Sequence, residues 1–175
     1  MSGSNRWREA RRTGLIAMLV MSLLLLAAGC SMARGEDKPL PVRDVSVMEG
    51  EVSSLSNRVL EMFKVKGKVT EPGPSTTACS GDGGKAVWVI HPWSMYGIDN
   101  SKLGEAFSNL KRSLPEQGWK IVKDGDDGSR NKNPEVLAVH RKTRSQLEIR
   151  WLKGLDGNTP LLDVNVYSKC FKKAD

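Results

Sequence analysis

From Val136 to Tyr167 apolar and polar residues alternate with a period of two, and the interruptions are only a few residues long. Val136-Leu-Ala-Val-His140 and Leu147-Glu-Ile-Arg-Trp151 read as strands, the second with Leu147, Ile149 and Trp151 on one side. Leu162, Val164 and Val166 alternate with Asp163, Asn165 and Tyr167 in a third. Thr143-Arg144-Ser145 suits a hairpin, and Gly154 to Pro160 is a second turn. Upstream, Trp119-Lys-Ile-Val122 begins another strand and Asp124-Gly-Asp-Asp-Gly-Ser129 reads as a turn. A parallel crossover needs a dozen or more residues, so connections this short force an antiparallel meander.

Ahead of the meander the period changes. Val45, Met48, Val52, Leu55, Val59 and Met62 recur at spacings 3-4-3-4-3, the apolar seam of an amphipathic helix. Ser46-x-x-Glu49 offers a capping box, and Gly67, after Lys64 and Lys66, a stop. Breakers from Thr70 to Ser75 mark a loop, and Ala86-Val-Trp-Val-Ile90 is a continuous apolar run suited to a buried strand. Asn100 or Ser101 could cap a second helix burying Leu103, Phe107, Leu110 and Leu114, ended by Pro115 and Gly118. The expected fold is α+β: a two-layer sandwich of two helices on a mostly antiparallel sheet of about five strands, in the order helix-strand-helix-strand-strand-strand-strand.

The N-terminus follows a different grammar. Arg6, Arg8, Arg11 and Arg12 precede an uncharged apolar run from Leu15 that ends in Leu26-Ala27-Ala28-Gly29-Cys30. Basic, apolar, then small residues is the order of a secretory signal peptide. The run of about 15 residues is short of the roughly 20 that span a bilayer. The pentapeptide resembles the lipobox of bacterial lipoproteins. That resemblance implies a diacylglyceryl group on the Cys30 thiol, cleavage just before it, and a lipid anchor at the extracytoplasmic face of the cell membrane. Arg11-Arg12-Thr13-Gly14-Leu15 places Gly14 where a twin-arginine signal wants an apolar residue, which favours general secretion. The expected organisation is a signal peptide at 1–29, lipidated Cys30 with a flexible tether through 41, and one domain at 42–175.

Removing the signal changes the charge argument. The chain has 27 Lys and Arg against 20 Asp and Glu; four Arg and one Glu lie in the first 30 residues, leaving 23 against 19, a net of +4. Nucleic-acid binding wants a basic stripe, and this mild excess is dispersed. It suits a solvated surface with weak attraction to anionic lipid or wall polymer.

With Cys30 committed to lipid, Cys79 and Cys170 remain, and a pair in an exported domain most often forms one disulfide. A loop of about 90 residues closed this way is worth roughly 4–5 kcal/mol in the chain-entropy model. The layout of lipobox, tether, long amphipathic helix, Cys79 before the first strand, helix closed at Gly118, meander and Cys170 after the last strand resembles that of the mycobacterial LppA-type lipoproteins. The resemblance implies an envelope lipoprotein with a Cys79–Cys170 bridge and brings no catalytic residues with it.

Motifs for chemistry are few. His91 and His140 lack Cys, His, Asp or Glu partners at ligand spacing, so no metal or cofactor is expected. Cys79-Ser-Gly-Asp-Gly-Gly84 is glycine-rich but precedes a strand instead of opening a helix. Asp124, Asp126 and Glu135 fit positions 1, 3 and 12 of a calcium loop, yet Gly128 and Ser129 break positions 5 and 6. The expected binding element is His91-Pro-Trp-Ser-Met-Tyr-Gly97, read as a loop that presents Trp93, Met95 and Tyr96 to a sugar or peptide. The same rings folded beneath the loop would be core. The expectation is a non-catalytic binding or accessory module of the envelope, its partner a protein or wall polymer. The alternative is a structural or assembly partner of an envelope complex, docking through the Val45–Met62 helix.

Overall fold

The computed structural model describes residues 39–80 and 84–174. The expected signal peptide, Cys30 and the tether as far as residue 38 lie outside these residues, as do Gly81, Asp82 and Gly83. The chain runs β1 (Val42–Arg43), α1 (Val45–Met62), β2 (Lys68–Val69), β3 (Ser75–Ala78), β4 (Ala86–Tyr96), α2 (Asn100–Ser113), β5 (Trp119–Asp126), β6 (Pro134–His140), β7 (Gln146–Leu152), a 3₁₀ turn (Leu155–Gly157), β8 (Leu161–Tyr167) and β9 (Phe171–Lys173). The fold is α+β with two helices and a mostly antiparallel sheet. That sheet has nine strands, not about five, so the expected strand number and element order are corrected. The extra strands β1, β2, β3 and β9 hold two to four residues each, too few to display a period, and Ser75-Thr76-Thr77-Ala78 has no apolar side to read.

β4 is the axis of the sheet. Ile90 pairs with Ser75 and with Tyr167, and Met95 with Val69 and with Leu162, so β2 and β3 lie along one side of β4 and β8 along the other. From β8 the order continues β7-β6-β5, while β9 pairs with the start of β4 and carries β1 in parallel beyond it. One residue ahead of the expected domain boundary, Lys172 N–H donates to the Pro41 carbonyl.

α1 starts at Asp44 and not in the Ser46–Glu49 box. The Asp44 carboxylate accepts from Ser46 N at 2.7 Å and Val47 N at 3.4 Å, satisfying two free amides of the first turn. The helix ends at Met62 with Phe63 as cap, before Gly67 is reached. Its seam residues Met48, Val52, Leu55, Val59 and Met62 are buried, and α2 adds Leu103, Ala106, Phe107 and Leu110. Both helices share one core with Val87, Val89, Trp93 and Met95 of β4, Val136 and Ala138 of β6, Leu147 and Ile149 of β7, and Leu162, Val164 and Val166 of β8. Each large side chain buried there contributes about 1.5–3 kcal/mol. α2 presses closely on the sheet: a Cβ on Gly104 would lie 2.6 Å from the Trp151 ring. Asn100 accepts from Trp151 Nε1 and donates to the Lys153 carbonyl, so it ties the helix start to the end of β7 instead of capping it.

The expected Cys79–Cys170 disulfide is present, its Cα atoms 6.3 Å apart across a separation of 91 residues. It joins the residue after β3 to the residue before β9, strands that flank β4 on opposite sides.

Candidate functional site

The segment His91–Tyr96 is strand, not loop. β4 continues without a break through Pro92, and the physical reason lies in its edge. Ser94 N–H donates to Thr70 Oγ1 and Ser94 O accepts from Thr70 N–H, so the backbone groups of the even-numbered residues face the β2–β3 side. At Pro92 that side is the gap between β2 and β3, and the missing N–H costs no ladder bond.

Continuing the strand decides where the expected binding residues go. Trp93 and Met95 fall in step with Val87 and Val89 on the helix face and are only 4% and 1% exposed. Trp93 Nε1 donates to Ser56 Oγ of α1 at 2.6 Å, and its ring packs 5.7 Å from that of Phe63. The binding-loop assignment for Trp93 and Met95 is therefore corrected: both are core. Tyr96 is half-buried on the opposite face, where register places it against Leu161.

No helix covers that opposite face among the described residues. Four cross-strand rungs are laid out on it: Val139-Gln146-Tyr167-Ile90, Leu137-Glu148-Asn165-Pro92, Glu135-Arg150-Asp163-Ser94 and, at the end, Leu152-Leu161-Tyr96. Trp88 stacks on Tyr167 with ring centroids 5.0 Å apart, and the Tyr167 hydroxyl donates to Glu148 at 3.0 Å. Burial, then the bonded Glu148 carboxylate, pushes the Tyr167 phenol above its ordinary range. Arg150 pairs with Asp163 at 2.8 Å and Glu148 at 3.4 Å. Burial disfavours its charge, and the two carboxylates more than offset that, so the guanidinium is held above its ordinary value. The Lys123 ammonium reaches Glu135, and that bond raises the lysine's proton affinity.

Beyond the last rung the face ends in a pocket of about 410 Å³, lined by Asn131, Asn133, Leu152, Lys153, Asn158 and Thr159 together with Gly154, Leu155 and Leu161. Two turns build it, the one after β5 and the one after β7. In a meander alternate turns lie at the same end of the sheet, so the topology brings these two together. Its walls are fixed. The Asp127 carboxylate accepts from Ser129 N, Asn133 N and Asn133 Nδ2, the last at 2.8 Å. The Ser129 hydroxyl first, then the Asn133 side-chain amide and the two backbone N–H groups, hold it well below the usual carboxylate range. Across the pocket Asn158 Nδ2 donates to the Leu155 carbonyl at 2.9 Å. Gly154 has φ +69° and no room for a Cβ, which would meet the Asn158 carbonyl at 2.5 Å.

The remaining candidates are dispersed. Asp124 pairs with Lys111, Asp126 with Lys132 and Glu135 with Lys123, so the three carboxylates of the calcium spacing answer three different lysines. His140 Nδ1 lies 2.9 Å from Thr143 Oγ1, which donates to Ser145 Oγ, an arrangement that shapes the β6–β7 hairpin. Among the described residues no group of three Cys, His, Asp or Glu side chains is placed to hold a metal ion, and no helix is long and apolar enough to cross a membrane. Sequence reading missed Asn131, Asn133, Lys153, Asn158 and Thr159 because they sit in turns that look merely solvated. The usable signal was the meander itself, which fixes that the two asparagine-bearing turns are neighbours. No family model matches the chain, and no curated protein or solved structure matches it either.

Proposed function

We propose that this protein is a lipoprotein anchored at the extracytoplasmic face of the cell membrane through Cys30, serving the envelope as a non-catalytic binding module. The observation that carries the reading is the oxidised Cys79–Cys170 pair, because such bridges persist in oxidising, extracytoplasmic compartments and are rare in the cytosol. The basic-apolar-small order ending in Gly29-Cys30 supports the anchor, and the placement of the bridge agrees with the LppA-type resemblance. The binding half rests on the pocket at the end of the helix-free face, which is lined by asparagines and a threonine beside leucines. Such groups orient a ligand and bind it.

The alternative, a structural partner of an envelope complex, loses its expected docking surface, since the α1 seam is spent on the protein's own core. What favours it now is the helix-free face carrying Trp88 and Tyr167.

Cys30→Ala tests the anchor. The variant should fail to incorporate labelled fatty acid, lose globomycin-sensitive processing and leave the lipidated membrane fraction. A Cys30→Ala protein that still matures and labels like the parent refutes the reading.

A further inference from the structure

We infer that the pocket lined by Asn131, Asn133, Lys153, Asn158 and Thr159 takes a neutral, hydroxyl-rich ligand, a short stretch of carbohydrate. The inference rests on the binding-module reading and assigns that site its ligand class.

The argument starts from how the two inner asparagines are held. Asn133 spends its amide nitrogen on Asp127, and Asn158 spends its own on the Leu155 carbonyl. Each amide oxygen is left at a fixed position with no protein donor on it among the described residues, and neither is among the buried atoms that lack a partner. Two positioned acceptors therefore line the pocket together with Thr159, while the Lys153 ammonium is seated 5.2 Å over the Trp151 ring. A hydroxyl group both donates and accepts, so a ligand bearing several of them can satisfy this mixture of oxygens and donors at once.

Apolar surface completes the match. Leu152 and Leu161 form one cross-strand pair of the pocket, and Leu155 at its rim is 47% exposed. A sugar ring presents C–H faces as well as hydroxyls, and leucines beside amides meet both. The volume of about 410 Å³ falls within the roughly 300–1,000 Å³ of small-ligand sites. A phosphate-bearing ligand would call for clustered cations or a run of backbone N–H groups, and an extended peptide for a free strand edge. The pocket instead is lined by asparagines between two turns, with the Lys153 ammonium turned to the Trp151 ring.

The test uses the full-length lipidated protein in detergent micelles and the β-1,4-linked N-acetylglucosamine tetramer as probe, read by saturation-transfer NMR. Transfer onto the sugar ring protons is expected. Leu155→Asp and Thr159→Val should each weaken it about tenfold, the scale of one good contact, while Val47→Asp, on the exposed side of α1, leaves it unchanged. Absence of transfer, or equal transfer in all variants, overturns the inference. A photo-crosslinking residue at position 155 in living cells separates this failure from that of the parent reading. Adducts with glycan support the assignment. Adducts with a protein overturn the ligand class and keep the binding module, and no adduct at all overturns both.

Discussion

β4 carries two tryptophans on opposite faces of the sheet, and they live in different proteins, physically speaking. Trp93 lies under α1, 4% exposed, its indole N–H given to Ser56 and its ring tilted against Phe63. Trp88 lies on the helix-free face, half-buried, with Tyr167 as its aromatic neighbour. One face is closed by dispersion and the exclusion of water, and its residues are bound to their positions by packing. The other is held by cross-strand pairs and a lattice of charges in which Arg150 answers Glu148 and Asp163. The difference teaches where this molecule keeps its stability and where it has surface to use.

The sharpest way to break the comparison is to delete both rings. Trp93→Ala should cost about 3–5 kcal/mol, the usual loss for a buried aromatic, and leave Ser56 without its donor. Trp88→Ala should cost only about 1–2 kcal/mol, since part of its surface stays in water and the ring pair adds about 0.5–1.5. Equal losses in urea unfolding would mean that both faces are covered in the native protein.

Next in size is the bridge that ties together the strands flanking β4. Cys170→Ser should destabilise by about 2–5 kcal/mol, and a non-reducing digest of the parent should yield a peptide linking Cys79 to Cys170. Free thiols at both positions would remove the clamp from the account.

Gly104→Ala probes the tightness of the helix face. The new methyl group must displace the Trp151 ring, so a loss of about 1–3 kcal/mol is expected, visible as a shift in the indole fluorescence together with the melting temperature. A neutral or stabilising result, as helix propensity alone would give, would show that α2 can lift away from β7 freely.

The smallest effect is a pH dependence. Burial lowers the proton affinity of His91 and His140; at His140 the field of Arg58 and Lys142 acts in the same direction and Glu51 opposes it. A histidine whose folded value is depressed stabilises fully above its unfolded value near 6.5 and loses that contribution as pH falls toward the folded one. The melting temperature should therefore decline between about pH 7 and 5, and His91→Gln with His140→Asn should flatten the slope. An unchanged slope would assign it to other groups.

Much of this was legible in advance. The spacing of Val45 to Met62, the alternation from Leu147 to Trp151 and from Leu162 to Tyr167, and the two cysteines left after Cys30 gave α1, β7, β8, the antiparallel rule and the disulfide. The alternation of Val87, Val89, Trp93 and Met95 was also present, and Pro92 hid it, because proline ends a strand wherever its N–H is needed. Whether that N–H is needed depends on the neighbour across the edge, and only the gap between β2 and β3 answers it.

What the sequence determined by itself is which side of α1, α2, β7 and β8 avoids water, because periodicity is written into consecutive residues and their burial follows from it. Only the tertiary structure decided that Trp93 is core, that no helix among the described residues covers the face bearing Trp88, Arg150 and Tyr167, and that Asn133 and Asn158 line one pocket. Those outcomes depend on pairing between segments remote in the chain, whose geometry is set by the sheet as a whole and by no run of residues within it.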